Sequence, residues 1–268
     1  MVKHHTDITS RQWHDTADDP GCLLLYILPV GNEEVHGPCL PLGTDTWIAQ
    51  AFAETCCQAA ETVDGVCPLV LPPLPYGYSP TTAPFDGTIS VEPRVLSELL
   101  KGIARAVLRR ERTGLMVISI HEGNELFICP AIHEFRDETG KPMLYVNPYK
   151  AFAPDLDLSC FANADNSTKE TALLRAALTI LNKPAILDAL TREANSCCDQ
   201  AQSRPEALTR LRERASIPFC YESEEQHIAS RPKASTQAGL RYYDGVREKM
   251  VQIVQDYVSV LHAGEEHR

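Results

Sequence analysis

Apolar residues in this chain fall into two patterns: short unbroken runs, at residues 22–30, 68–73 and 115–120, and longer stretches with apolar positions at helical spacing. The run 22–30, closed by Gly31, predicts a buried strand. Residues 45–62 are helical in composition, with Thr44 or Asp45 placed to cap them and acidic charge at the favoured end. Residues 68–73 predict a proline-limited strand, followed by a long Pro/Gly/Tyr/Thr loop to residue 88. Loops of that length inside an α/β domain usually serve function. An amphipathic helix is predicted over 92–112, strands over 115–120 and 141–146, and a helix over about 124–137 between those strands.

Strand and helix thus alternate through the first 150 residues, which predicts an α/β fold with a mostly parallel sheet covered on both faces. In such sheets ligands sit beyond the carboxyl ends of the strands. The second half is predicted helical, over 168–181, 184–201, 205–214 and 234–261. The last stretch places Leu240, Tyr243, Val246, Met250, Ile253, Val254, Tyr257 and Leu261 at helical spacing, with Gly264 to end it. Residues 222–233 read as a polar linker, and neither an internal repeat nor a low-complexity tract is present.

Composition narrows the classes. At 268 residues the chain has length for one large α/β domain or two small ones, and its 44% hydrophobic and 23% charged content is ordinary for a globular protein. A net charge of −11 argues against nucleic acid or an anionic membrane as partner, because phosphate binding requires a basic stripe. The basic groups at 109–112 and 210–214 read as solvated helix faces. Ten cysteines include the adjacent pairs Cys56–Cys57 and Cys197–Cys198 but no Cys-x-x-Cys, and most lie in apolar runs where a thiol behaves as a small hydrophobe. With no signal-peptide core at the N-terminus, reduced cysteines and a cytoplasmic location are expected.

The chemistry-bearing stretch is Gly31-Asn-Glu-Glu-Val-His-Gly-Pro-Cys-Leu-Pro-Leu-Gly-Thr-Asp45. Residues two apart on extended chain share a face, so Glu34 and His36 project together beyond the first strand, with Asp45 across a tight loop. Two carboxylates and an imidazole suit a metal such as zinc or manganese; a hydrogen-bonded loop without metal, with Asp45 as a helix cap, fits the spacing equally. His121 stands at the end of another predicted strand, where a hydrogen-bonded structural histidine is the commoner outcome. Ser167-Thr-Lys-Glu170 reads locally as a capping box. His4, His5, His14, His133, His227, His262 and His267 are scattered and read as surface or satisfied residues. There is no Gly-x-Ser-x-Gly, no Gly-x-x-x-x-Gly-Lys and no Gly-x-Gly-x-x-Gly.

The segment Val30–Asp45 resembles the creatininase (creatinine amidohydrolase) family almost position for position. Pro73-Leu-Pro-Tyr-Gly-Tyr-Ser-Pro with Phe85-Asp-Gly-Thr-Ile-Ser, then His121-Glu-Gly-Asn, then Asp165-Asn-Ser-Thr-Lys-Glu-Thr-Ala-Leu-Leu, resemble its later motifs in the same order, so the likeness runs over about 20–262. The resemblance implies one three-layer α/β/α domain over 1–268, with 1–20 as an N-terminal segment and 234–262 as a closing helix. It also implies two divalent ions per chain (Zn, Mn or Fe), bridged by Asp45 and a water or hydroxide. Glu34 and His121 would complete one site, and His36 with Glu170 the other. The implied activity is hydrolysis of a C–N bond in a small amide, lactam or formamide. Hydrolysis of another carbonyl bond, such as a C–C bond of a cyclic diketone, and a non-catalytic metal-stabilised scaffold are the alternatives. A homohexamer is implied as well.

The departures from the family pattern carry their own expectations. Cys39 replaces a His, Asp86 a Pro, Thr82 a His, Ser119 and Ile120 an Asn-Gly, and Glu122 a Gly. Asp165 stands where the family has a His assisting proton transfer, so Asp165 or Glu122 is expected to act as acid/base, with a raised pKa. Cys39, Tyr78, Thr82 and Asp86 are expected at the substrate. Creatinine itself is not expected as substrate, because 148–167 holds no tryptophan and only Tyr149, Phe152 and Phe161 as aromatics.

Overall fold

A computed structural model describes residues 2–152, 166–196, 206–214, 218–227 and 234–266. Among these residues four strands, β1 (Leu23–Pro29), β2 (Val66–Val70), β3 (Thr113–Ile118) and β4 (Leu144–Val146), form one sheet in the order β2-β1-β3-β4. Every neighbouring pair is parallel. The strands are linked and followed by α1 (Ser10–Ala17), α2 (Thr44–Ala60), α3 (Pro93–Val107), α4 (Glu125–Thr139), α5 (Pro148–Phe152), α6 (Asn166–Ile180), α7 (Pro184–Ser196), α8 (Glu206–Arg214) and α9 (Thr236–Glu266).

The unbroken apolar run becomes the central strand because both its faces are covered. Leu23, Leu25 and Ile27 pack against a core built from α2, α6 and α9, with Phe52, Leu174, Tyr243 and Val246 fully or nearly buried. Leu24, Tyr26 and Leu28 alternate onto the opposite core, under α3 and α4, with Leu96, Leu100, Phe127 and Phe135. All seven residues of β1 are buried, which a period-two amphipathic strand could not tolerate. Pro68 sits in β2, at the sheet edge, where its missing N–H faces no ladder partner. Helix α9 buries Tyr243, Val246, Met250, Val254 and Tyr257 as its spacing predicts, and Tyr257 OH bonds the Pro142 carbonyl at 2.9 Å.

Boundaries moved for local reasons. Helix α3 stops at Val107, not 112, because the chain turns through Arg112 at φ 54° so that β3 begins at Thr113. Strand β4 is shorter than 141–146 because only Met116–Ile118 of β3 pair with it. Gly140, at φ 71°, ends α4 in the left-handed conformation glycine favours.

The expectation of reduced cysteines needs revision at Cys22, Cys39 and Cys67, which are disulfide-bonded. Cys22 and Cys67 form a disulfide with Cα atoms 5.8 Å apart, because the parallel register sets Leu23 against Val66 and so brings the two cysteines together across β1 and β2. Cys56 and Cys57 remain buried thiols, as expected, and burial pushes Cys57 up to about 12. No described helix is long and apolar enough to cross a membrane.

Candidate metal centre

The chain segments beyond three strand ends and the starts of two helices, α2 and α6, deliver the site. Past β1, Val30 N–H bonds the Ile118 carbonyl and Gly31 N–H the Leu74 carbonyl, each at about the usual distance, 2.8 and 2.9 Å, binding the loop to both neighbours. A Cβ on Gly31 would lie 2.3 Å from Thr46 Cα, so only glycine lets this loop close onto the first turn of α2. That closeness brings Asp45 against Glu34 and His36. Gly43 occupies the cap position of α2, so Asp45 stands in its first turn and is not the cap.

The five expected metal-binding residues converge. His36 Nε2 is 3.2 Å from Glu170 Oε1, 3.4 Å from Asp45 Oδ1 and 3.6 Å from Glu34 Oε1. His121 Nδ1 is 3.0 Å from Asp45 Oδ2 and 3.4 Å from Glu34 Oε1. Glu34, His36 and Asp45 are buried, and Glu170 is the most open of the carboxylates, 21% exposed. Helix α6 starts at Asn166, so Ser167 lies inside it and Glu170 turns to His36 instead of closing a capping box.

Each imidazole is oriented from behind by a carbonyl. His36 Nδ1–H donates to the Glu34 carbonyl at 3.1 Å, and His121 Nε2–H donates to the Tyr78 carbonyl at 2.9 Å. A carbonyl only accepts, so in each ring the other nitrogen is the one offered to the cluster. Thr82 Oγ1 donates to Glu34 Oε2 at 2.6 Å. Asn124, buried, donates to the Gly31 carbonyl at 2.9 Å and to Ser119 Oγ at 3.1 Å, and accepts from Tyr78 N–H at 3.2 Å. One side chain thereby ties together the loops after β1, β2 and β3.

The electrostatics favour a cation. Burial opposes charge on His36, yet the Asp45 and Glu170 carboxylates raise its pKa well above the ordinary histidine value. Burial likewise opposes charge on His121, and Asp45 with Glu34 pushes it up to about 9. Burial also opposes ionisation of Asp45, but His36 and His121 hold it well below the usual carboxylate range. Asp45 Oδ2 is buried and makes no hydrogen bond, its approach to His121 having the distance but not the geometry of one. An orphaned carboxylate oxygen among imidazoles and carboxylates fits a divalent ion. Two sets bring their donor atoms within 4.8 Å of one another around it: Glu34, Asp45 and His121, and His36, Asp45 and Glu170.

These residues line a cavity of about 520 Å³, together with Glu122, Tyr149, Lys150 and Tyr221. The expected substrate contacts do not line it. Cys39 is buried, 6% exposed, and disulfide-bonded. Tyr78 acts through its backbone while its ring packs on the core under α3 and α4. Thr82 is spent on Glu34, and Asp86 is exposed on the loop away from the cavity. Glu122 does line the cavity, 68% exposed, with its carboxylate 3.8 Å from Lys150 Nζ. Asp165 lies outside the described residues.

One residue escaped the sequence reading. His227, read as a surface or satisfied histidine, lies in the cavity wall with its ring centroid 5.1 Å from that of His36, and Tyr221 stacks on it at 4.7 Å. Burial, with His36 alongside, pushes its pKa down. Nothing in the polar stretch 218–227 marks this position, because only the path of the chain brings it back over the loop at Val35.

Comparisons with known proteins agree with this architecture. The mycofactocin precursor peptide peptidase of Mycolicibacterium smegmatis is 33% identical over 130 residues, 48% of this chain and 50% of that protein. The 3-dehydro-scyllo-inosose hydrolase of Thermotoga maritima is 30% identical over 129 residues, 46% of this chain and 38% of that one. The chain thus spans about half the length, or less, of these curated relatives. In fold it is similar to a putative creatinine amidohydrolase from Bacteroides fragilis, with TM-score 0.69 at 21% identity over 87% of this chain and 89% of that one. A manganese creatininase gives a TM-score of 0.70 at 18% identity over 96% and 99% of the two chains, respectively. The sequence also matches the family described as creatinine amidohydrolase over residues 9–178, well over half its length, and the chain therefore belongs to the creatininase family.

Proposed function

We propose that the protein is a dinuclear metal-dependent hydrolase that cleaves a C–N bond in a small amide, lactam or formamide. The observation that carries this is the posture of Asp45, whose Oδ1 is 3.4 Å from His36 Nε2 while its Oδ2 is 3.0 Å from His121 Nδ1. One carboxylate facing two imidazoles with different oxygens suits a bridge between two ions. Glu34 and His121 would hold one, and His36 and Glu170 the other; the oxygen and imidazole donors suit zinc, manganese or iron. When bound, such ions polarise a carbonyl and ionise a water near neutral pH.

The chain's own residues do the rest. Thr82 and the Tyr78 carbonyl hold Glu34 and His121 in position. The cavity, about 520 Å³, is within the usual size for a small-molecule site, and Tyr149 contributes an aromatic ring to its lining. Glu122 or Asp165 would pass the proton to the leaving nitrogen, a role tested by the pH profiles of Glu122→Gln and Asp165→Asn. The names of the relatives, a peptide peptidase and a dehydro-inosose hydrolase, leave the substrate class wide and support keeping carbonyl compounds other than amides as a second reading. Homohexameric assembly is proposed from the resemblance, and light scattering tests it.

The deciding experiment combines elemental analysis of protein purified without chelator with turnover on amide, lactam, formamide and cyclic-diketone panels, using Glu34→Gln as control. About two equivalents per chain and C–N cleavage abolished by the control are expected. Absence of bound metal, or turnover unaffected by Glu34→Gln, refutes the reading.

A further inference from the structure

We infer that His227 is a third imidazole ligand of the metal centre, completing the coordination of the ion that His36 holds. The inference rests on the dinuclear reading above and goes beyond it, since 218–227 lies outside the segment 9–178 that matches the family.

The geometry repeats that of the two other histidines. His227 Nδ1–H donates to the Val35 carbonyl at 2.7 Å, so the ring is locked from behind and Nε2 is its unprotonated nitrogen. That Nε2 lies 3.9 Å from Glu34 Oε1, on the same carboxylate that His36 and His121 approach at 3.6 and 3.4 Å. Glu34, His36 and His227 bring their donor atoms within 4.8 Å of one another. With metal–nitrogen bonds of about 2.1 Å, two ligands of one ion lie up to roughly 4.2 Å apart, so His36 and His227, already within 4.8 Å, reach one ion after closing by about 0.6 Å or less. The successive residues Glu34 and Val35 thus supply the carbonyls that aim His36 and His227, as expected where a carbonyl fixes a ligating imidazole.

The segment is held to do this. Tyr221 N–H donates to the Thr81 carbonyl at 3.0 Å, Cys220 Sγ lies 3.3 Å from the Pro80 carbonyl, and the Tyr221 ring is stacked on His227 at 4.7 Å. The stretch 218–227 is therefore pinned to the loop after β2, the loop that also carries Thr82 and Tyr78 to the site. Its consequence is asymmetry. The ion held by His36, Asp45, Glu170 and His227 is crowded by protein donors, while the ion held by Glu34, Asp45 and His121 keeps more open positions and is the one left to meet substrate.

The test is made on the whole chain, with cobalt(II) as the probe. In the wild type, nitrogen counting by X-ray absorption or pulsed electron resonance is expected to give three imidazoles for two ions, and His227→Ala two. Chelator competition is expected to show one of the two equivalents weakened at least about tenfold in His227→Ala and His227→Gln, with the other unchanged. Two imidazoles in the wild type, or unaltered affinity of both equivalents in either variant, overturns the assignment. The wild-type count stands even if a variant misfolds. A wild type that binds no cobalt instead sinks the dinuclear reading itself, so the two failures are distinguishable.

Discussion

Without metal the protein should lose stability as pH rises above neutrality, and His121 sets the size of the effect. In the metal-free protein its pKa is raised from 6.5 to about 9 by Asp45 and Glu34 against the opposing effect of burial. A histidine raised on folding contributes stability that is fully present below the unfolded value and is lost as pH rises through the folded one. The rise from 6.5 to about 9, at about 1.4 kcal/mol per pH unit, sets the contribution at roughly 3–4 kcal/mol, lost between roughly pH 6.5 and 9. His36 is raised in the same direction by Asp45 and Glu170 and adds to the slope. For a chain of 268 residues, an unfolding entropy of about 2.1 cal/mol/K per residue converts this into a midpoint drop of roughly 5–7 °C. Chelator-treated protein would be melted at intervals from pH 6 to 9.5, beside metal-loaded protein and chelator-treated His121→Gln. The treated wild type should lose its midpoint steadily across that window. The loaded protein should not, because a ligating imidazole is already deprotonated, and His121→Gln should show a shallower slope. A metal-free midpoint that is flat or rises between pH 7 and 9 would refute the placement of His121 between those carboxylates.

Metal binding at pH 7 should release protons, since both His36 and His121 are held charged without it; titration calorimetry in buffers of differing ionisation enthalpy counts them, and affinity should rise with pH up to about 9. Gly123→Ala should cost metal affinity and stability together, because its Cβ would lie 1.9 Å from the Tyr78 carbonyl oxygen and 2.8 Å from His121 Nε2; equilibrium dialysis and melting read both. Thr82→Val should weaken metal binding by about 10- to 100-fold with little change in fold, since it removes the hydroxyl that orients Glu34; chelator competition measures it. Asn124→Ala should destabilise by roughly 2–4 kcal/mol in urea unfolding, because it strands the buried Gly31 carbonyl and Tyr78 N–H. Glu122→Gln should leave metal content unchanged, as its carboxylate is 68% exposed and faces Lys150; retention of full turnover as well would remove it from the acid/base candidates.

The sequence by itself determined the sheet and pointed to the five residues that gather as a candidate metal centre. An apolar run seven residues long, buried on both faces, has few homes besides the middle of a parallel sheet, and the periodic stretches could only be the helices that cover it. Glu34 and His36 were legible together because local chain geometry places residues two apart on one face, and Asp45, His121 and Glu170 because their motifs resemble a known family in order. Tertiary structure alone decided what the remaining residues do. Cys22 meets Cys67 through strand register, and Thr82 and Tyr78 were expected at the substrate but bond Glu34 and His121, because the loop after β2 turns the Thr82 hydroxyl and the Tyr78 carbonyl to the cluster and presents Pro80 and Thr81 to the cavity. Asn124 ties three loops, and His227 returns from nearly two hundred residues away to the Val35 carbonyl. Local spacing encodes which face a side chain takes along its own element. The approach of one loop to another depends on how the layers pack, and no short stretch of sequence carries that information.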